Sequence, residues 1–205
     1  MLILAMESSA KAASVALCRD GELLGQYFQR SGLTHSRTLL PRVEDLLRNT
    51  ETKLSDVDCI AVAQGPGSFT GVRIGVSTAK GLCWGADKNA VGVSTLEAGA
   101  WGWDGEGTCC VTLRARGEEV YYALFEKHGG AVTRLGEESV AMLPDLKAKY
   151  PAHIFVPAED TAHAGSAALC AWKRALAGQT DTCHDINPVY LKKTQAERMR
   201  EEKNK

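Results

Sequence analysis

The chain of 205 residues lacks the marks of several large functional classes. Its seven cysteines (Cys18, Cys59, Cys83, Cys109, Cys110, Cys170, Cys183) form no C-x-x-C pair, and its five histidines form no H-x-x-x-H or H-E-x-x-H. Neither a redox motif nor a metal site is therefore predicted. Several of the cysteines sit in apolar runs, where a thiol acts as a small hydrophobe, and they read as reduced core residues. No G-x-x-x-x-G-K-[ST] occurs, which excludes a Walker A loop, and no apolar stretch reaches membrane-spanning length. Met1-Leu-Ile-Leu-Ala-Met6 has no basic flank and is cut short by Glu7, so no signal peptide is read and a cytoplasmic location is expected. With 24 basic against 25 acidic residues, no chain-wide charge draws the protein to nucleic acid. Any RNA contact has to be local or shared with a partner.

Glycine, by contrast, is concentrated. The stretch QGPGSFTGVRIGVSTAKGLCWG, residues 64 to 85, holds six of the 20 glycines and follows the apolar run Cys59-Ile-Ala-Val-Ala63. A strand entering a glycine turn and then a helix points backbone N–H groups at whatever lies in front. The spacing matches no phosphate fingerprint, because Gly65-Pro-Gly67 is followed by Ser-Phe-Thr before Gly71, one residue too many for G-x-G-x-x-G. Two readings stay open: a tight turn with Pro66 at its first central position and positive φ at Gly67, or a direct grip on phosphate. Ser68 and Thr70 read as helix caps, since no activating base lies nearby in sequence.

Coarse periodicity predicts strands over Leu2–Met6, Ala13–Cys18 and Glu22–Phe28, a helix over Ser36–Arg48, a strand over Asp58–Gln64, a helix over Phe69–Trp84 and a strand over Ala90–Val93. A fainter echo follows: strands over Cys109–Leu113, Glu119–Glu126 and Ala131–Glu138, a helix over Leu143–Tyr150, a strand over Ile154–Pro157 and a helix over Thr161–Ala177. The glycine-rich and acidic stretch 99–107 reads as the crossover between halves. The expected domains are 1–100, carrying a partner interface, and a smaller 101–191, with 192–205 as a charged tail, helical and frayed. Duplicated βββαβα halves are the plan of the actin/sugar-kinase/Hsp70 (ASKHA) superfamily, so an α/β fold with a reduced second half is expected.

In the Phe69–Trp84 helix, Gly71, Gly75 and Ala79 recur at four-residue spacing. Each glycine weakens an isolated helix by roughly 1 kcal/mol relative to alanine, a cost that close packing must offset. One side of the stripe belongs on the protein's own sheet, and glycine on more than one side predicts neighbours on two. The Ser36–Arg48 helix is the intramolecular neighbour, and a matching pair from a second subunit would complete a four-helix contact. The predicted interface is Arg37, Leu40, Val43, Leu47, Gly71, Val72, Gly75, Val76 and Ala79.

Several stretches together resemble one family: Met1-Leu-Ile-Leu-Ala-Met-Glu-Ser-Ser9 with Ala13-Ser-Val-Ala-Leu17, His35-Ser-Arg-Thr-Leu-Leu-Pro41, Ala61-Val-Ala-Gln-Gly-Pro-Gly-Ser-Phe-Thr-Gly-Val-Arg-Ile-Gly75 and Val91-Gly-Val-Ser-Thr-Leu-Glu97. Weaker matches are Arg116-Gly-Glu-Glu-Val-Tyr121 and Pro188-Val-Tyr-Leu191. The chain is thereby similar to the TsaB (YeaZ) family of bacterial threonylcarbamoyladenosine synthesis. Glu7-Ser8-Ser9 stands where that family usually has Asp-Thr-Ser, and Arg114 where it usually has an acid.

The resemblance implies a non-catalytic subunit that docks on TsaD and works with the ATPase TsaE, meeting tRNA only through the complex, with no cofactor of its own. It leaves open a homodimer in isolation. The metal-holding H-x-x-x-H of TsaD corresponds here to Thr95-Leu-Glu-Ala-Gly99, where both imidazoles are absent and Glu97 reads as an N-terminal dipole partner. Glu7, Ser8 and Ser9 sit where the superfamily holds phosphates, and are open to two readings, a vestigial nucleotide contact or turn chemistry. The basic tail is open to a minor share of a composite tRNA surface. The alternative to the whole reading is a small ASKHA enzyme, an ATP-dependent kinase or a hydrolase.

Overall fold

The computed structural model describes residues 1–192; the predicted tail beyond that lies outside the described residues. Strands β1 (Leu2–Glu7), β2 (Ala13–Arg19) and β3 (Glu22–Gln29) form an antiparallel meander. Asp20 and Gly21 join the last two, and both take positive φ (52° and 84°), as a two-residue hairpin turn matched to strand twist requires. Helix α1 (His35–Asn49) follows, then β4 (Cys59–Ala63), α2 (Phe69–Ala86), β5 (Asn89–Val93) and α3 (Thr95–Trp101). Strands β4 and β5 add in parallel, giving the order β3-β2-β1-β4-β5.

The second half repeats this with β6 (Gly107–Arg116), β7 (Glu119–His128), β8 (Ala131–Arg134), β9 (Ser139–Met142), α4 (Leu143–Lys149), β10 (Ile154–Pro157), α5 (Ala158–Thr161) and α6 (Ala164–Leu176). Its order is β10-β6-β7-β8, with β9 also on β7 and β10 parallel to β6. The fold is α/β with duplicated ASKHA-like halves, and among the described residues the second half has no counterpart of β5.

Three departures from the periodicity have physical causes. The third strand of the second half is broken, because Arg134 lies opposite Phe125 but Ser139 lies opposite Tyr122, leaving two extra residues between them. That bulge tucks the Glu138 side chain inward, beside Ser94 and Arg134. Helix α3 takes up the first part of the stretch read as crossover, with the Ser94 side chain capping the amides of Leu96 and Glu97. The last predicted helix splits into α5 and α6 at Ala162–His163.

The two faces of the first sheet bury different residues. Leu2, Leu4 and Met6 point to one core with Val15, Leu17, Ile60 and Val62, beneath α1 and α2. Ile3 and Ala5 point to the other with Ala16 and Ala61, against α6. Small residues on that second face let the alanine-rich helix α6 approach closely. The exchange is mutual, since α6 packs on the first sheet while α3 packs on β6, β7 and β8 of the second. One core cluster therefore runs through both halves.

Candidate functional site

At the end of β1, Glu7, Ser8 and Ser9 are no more than 2% exposed. Glu7 Oε1 accepts from the Ser9 amide at 2.6 Å and from the Ser9 hydroxyl. Ser8 Oγ donates to the Gly71 carbonyl at 2.9 Å. Burial pushes the Glu7 carboxyl up to about 7, and the Ser9 hydrogen bonds only partly oppose it.

The glycine turn in front of this loop is just as occupied. The Ser68 amide donates to the Ser9 carbonyl at 2.6 Å, Gly71 N to Ser68 Oγ at 3.2 Å, and Thr95 N to the Gly65 carbonyl at 2.9 Å. A Cβ on Gly71 would stand 2.0 Å from the Ser8 carbonyl oxygen, and one on Gly75 2.5 Å from Ser8 Oγ. Gly71 and Gly75 thus let α2 seat closely on the protein's own loop after β1, and the Ser68, Gly71 and Thr95 amides each donate within the chain. Ser68 caps α2 and Gly67 takes positive φ (157°), both as expected, while the predicted turn is corrected at its start, since the Gly65–Pro66 peptide is cis and Gly65 takes positive φ (110°) as well.

The predicted interface set is also corrected. Gly71, Val72, Gly75, Val76 and Ala79, with Val43 of α1, are buried within this chain. Leu47 is half-buried, and only Arg37 and Leu40 are exposed, Leu40 by 43%. The outward strips are Arg37, Leu40, Glu44 and Arg48 on α1 and Arg73, Ser77, Gly81, Trp84 and Gly85 on α2. Trp84 is 78% exposed. A Cβ on Gly81 or Gly85 would meet nothing within 4 Å, so no packing inside the chain requires glycine there.

Sequence reasoning missed a cluster at the start of α2. Phe69 stacks on Tyr190 with ring centroids 4.8 Å apart, the Arg73 guanidinium lies 3.7 Å from the Phe69 centroid, and Arg73 Nε donates to the Tyr190 hydroxyl at 2.8 Å. The segment after α6 carries Tyr190 there, anchored by buried Ile186 and by Val189 N donating to the Gln64 carbonyl at 2.7 Å. No local pattern links residues so distant in sequence.

A cleft of about 700 Å³ opens between the halves, lined among others by Lys11, Arg30, Ser68, Arg114, Glu159 and Asp160. A groove of about 380 Å³ continues past Lys11 and Arg30 to His35, Thr70 and Ile74. At α3, Glu97 pairs with Arg174 of α6, and Arg174 Nη1 donates to the Gly92 carbonyl at 2.7 Å. The carboxylate therefore ties the two halves together, which corrects its reading as a dipole partner alone. A Cβ on Gly99 would lie 2.8 Å from Val111 Cγ1, so an imidazole has no room there. Among the described residues no group of three or more His, Cys, Asp and Glu is placed to hold a metal ion. No helix among them is long and apolar enough to cross a membrane.

Fold and site together define an ASKHA-like α/β protein whose strand-end residues are turned inward. The family model for TsaD, tRNA N6-adenosine threonylcarbamoyltransferase, matches residues 29–193. The TsaB protein of Escherichia coli, named for tRNA threonylcarbamoyladenosine biosynthesis, is 40% identical over 146 residues, 70% of this chain and 62% of that protein. TsaB of Bacillus subtilis is 33% identical over 71% of this chain and 64% of its own length. The solved structure of YeaZ from Pseudomonas aeruginosa superposes with a TM-score of 0.81 at 29% identity, covering 93% of this chain and 99% of that one. The chain belongs to the TsaB (YeaZ) branch of this family. Its match spans less than two thirds of the length of these curated relatives.

Proposed function

We propose that the chain is a non-catalytic subunit in the synthesis of threonylcarbamoyladenosine on tRNA. In this reading it acts in the cytoplasm, docks on TsaD through the outward strips of α1 and α2, and supports TsaD while TsaD transfers the threonylcarbamoyl group to the adenosine beside the anticodon. TsaE is the further partner.

The observation that carries the reading is the pairing of family membership with an α3 unable to serve as a metal-binding helix, since position 99 admits no imidazole. The burial of Glu7, Ser8 and Ser9 supports it, with the Ser9 and Ser8 hydroxyls donating to Glu7 and to the Gly71 carbonyl of the same chain. The docking face is supported by Trp84, Leu40 and the open positions at Gly81 and Gly85, where a partner helix can come close.

The test is reconstitution with TsaD, TsaE, ATP, the threonylcarbamoyl donor and tRNA, with the chain present or omitted. Modification should fall at least tenfold on omission, and the pure chain should turn over neither ATP nor donor. Undiminished modification without the chain, or turnover by the chain alone, overturns the reading.

A further inference from the structure

We propose that the cleft between the halves and the groove continuing from it form a track for single-stranded RNA. Lys11, Arg30 and Arg114 would meet its phosphates, and the Phe69–Tyr190 pair would offer a stacking surface for a base. This adds a direct RNA contact to the reading above and rests on that reading only for which RNA is bound.

The first support is charge left over. Arg42, Arg48, Arg134, Arg174 and Lys192 each pair with a carboxylate. The side chains of Lys11, Arg30 and Arg114 are exposed and make no hydrogen bond or ion pair among the described residues, yet they converge on one cleft. Two acids share its wall. Glu159 is engaged by the Arg114 amide at 2.7 Å, which leaves Asp160 as the one lining carboxylate without such a contact. Three cations against two carboxylates leave the lining of the cleft net positive, which favours a polyanion.

The second support is shape. Lys11 and Arg30 line both the cleft and the groove, and the groove has no acidic lining residue. A single nucleotide fills one cavity, whereas a strand passes through both under the same two cations. Ser68 faces the cleft and Thr70 the groove, and between them in sequence Phe69 bears the aromatic cluster. Phe69 and Tyr190 are 36% and 41% exposed. A cationic track beside an exposed π surface is the arrangement that holds single strands with little sequence preference.

The full chain is tested by fluorescence anisotropy with a labelled single-stranded 12-nucleotide RNA, the corresponding duplex and excess ATP as competitor, between 50 and 200 mM salt. The single strand should bind with a log–log salt slope of about −2, for three phosphates at about 0.7 each. Lys11→Glu with Arg30→Glu should weaken binding at least tenfold and flatten the slope, and Phe69→Ala should weaken it about tenfold. Lys147→Glu with Lys149→Glu, exposed on α4 and lining neither cavity, should change nothing. Circular dichroism confirms that each variant is folded. No RNA binding at 50 mM salt, equal loss from the α4 reversal, or complete displacement by ATP overturns the proposal. Co-elution with TsaD is measured on the same variants, so a lost RNA contact with docking intact is distinguished from failure of the subunit reading.

Discussion

In β1 every residue from Leu2 to Glu7 is buried, whereas in β8 none is. The first sheet carries α1 and α2 on one face and α6 on the other, so both sides of its central strands lie in extensive cores. The second sheet shares the large common core on one face, but its other face holds only a small cluster around Cys110, Val120 and Leu146. Strands buried on both faces become continuous apolar runs and demand small residues wherever a helix must come close. That is why the glycine stripe of α2 faces inward, against the loop after β1.

The sharpest way to break this contrast is a charge in the first half. Val76→Arg places an unpaired cation where the side chain is 2% exposed, and should cost at least about 4 kcal/mol and unfold the chain. Val140→Arg on half-buried β9 should cost about 1 kcal/mol and leave the circular dichroism melt cooperative. Similar losses at both positions would erase the difference between the halves.

Cavity formation gives the next largest effect. Leu4→Ala in the doubly covered sheet should lose about 4 kcal/mol and Leu146→Ala about 2 kcal/mol in denaturant titrations. The reverse order would contradict the contrast.

Glu7 supplies a large pH signature in the first half. Its folded-state value of about 7 exceeds the ordinary 4.5, so the folded protein holds this proton more tightly than the unfolded chain does. The associated stability is fully present below pH 4.5 and is lost as pH rises through about 7, a fall of roughly 3 kcal/mol at about 1.4 kcal/mol per pH unit. Glu7→Gln keeps an oxygen to accept from Ser9 and should remove that fall, gaining on wild type between pH 5 and pH 8. An equal difference at both pH values would count against a buried, proton-retaining Glu7.

The smallest effect concerns the thiols. Burial pushes Cys59, Cys83 and Cys110 up to about 12 and Cys109 to about 11, while Cys183 is the one cysteine not fully buried. Alkylation of the native protein at pH 7.5, read by mass spectrometry, should label Cys183 and spare the rest. Early labelling of Cys109 or Cys110 would show the second half opening more readily than its packing implies.

Much of the first half was legible from pattern alone, because β1, β2, α1, β4 and α2 are long or flanked by strong turn signals such as Asp20-Gly21. Stripe orientation was not, since Gly71 and Gly75 look alike whether they face a sheet or a partner, and only the Ser8 carbonyl decides it. The second half was harder to read. Its bulge at 136–138 and the short helices α3 and α5 are set by tertiary packing and not by periodicity. The Phe69–Arg73–Tyr190 cluster and the shared cation wall join residues from distant elements, which no sequence window contains.

The most direct test of the proposed docking face is size-exclusion chromatography of Leu40→Arg mixed with TsaD. Leu40 is 43% exposed, so the variant should keep the wild-type circular dichroism and melting temperature. It should fail to co-elute with TsaD, with at least a tenfold loss of affinity if the added charge is buried unpaired at the interface. A folded Leu40→Arg protein that co-elutes with TsaD as wild type does would contradict docking through the outer faces of α1 and α2.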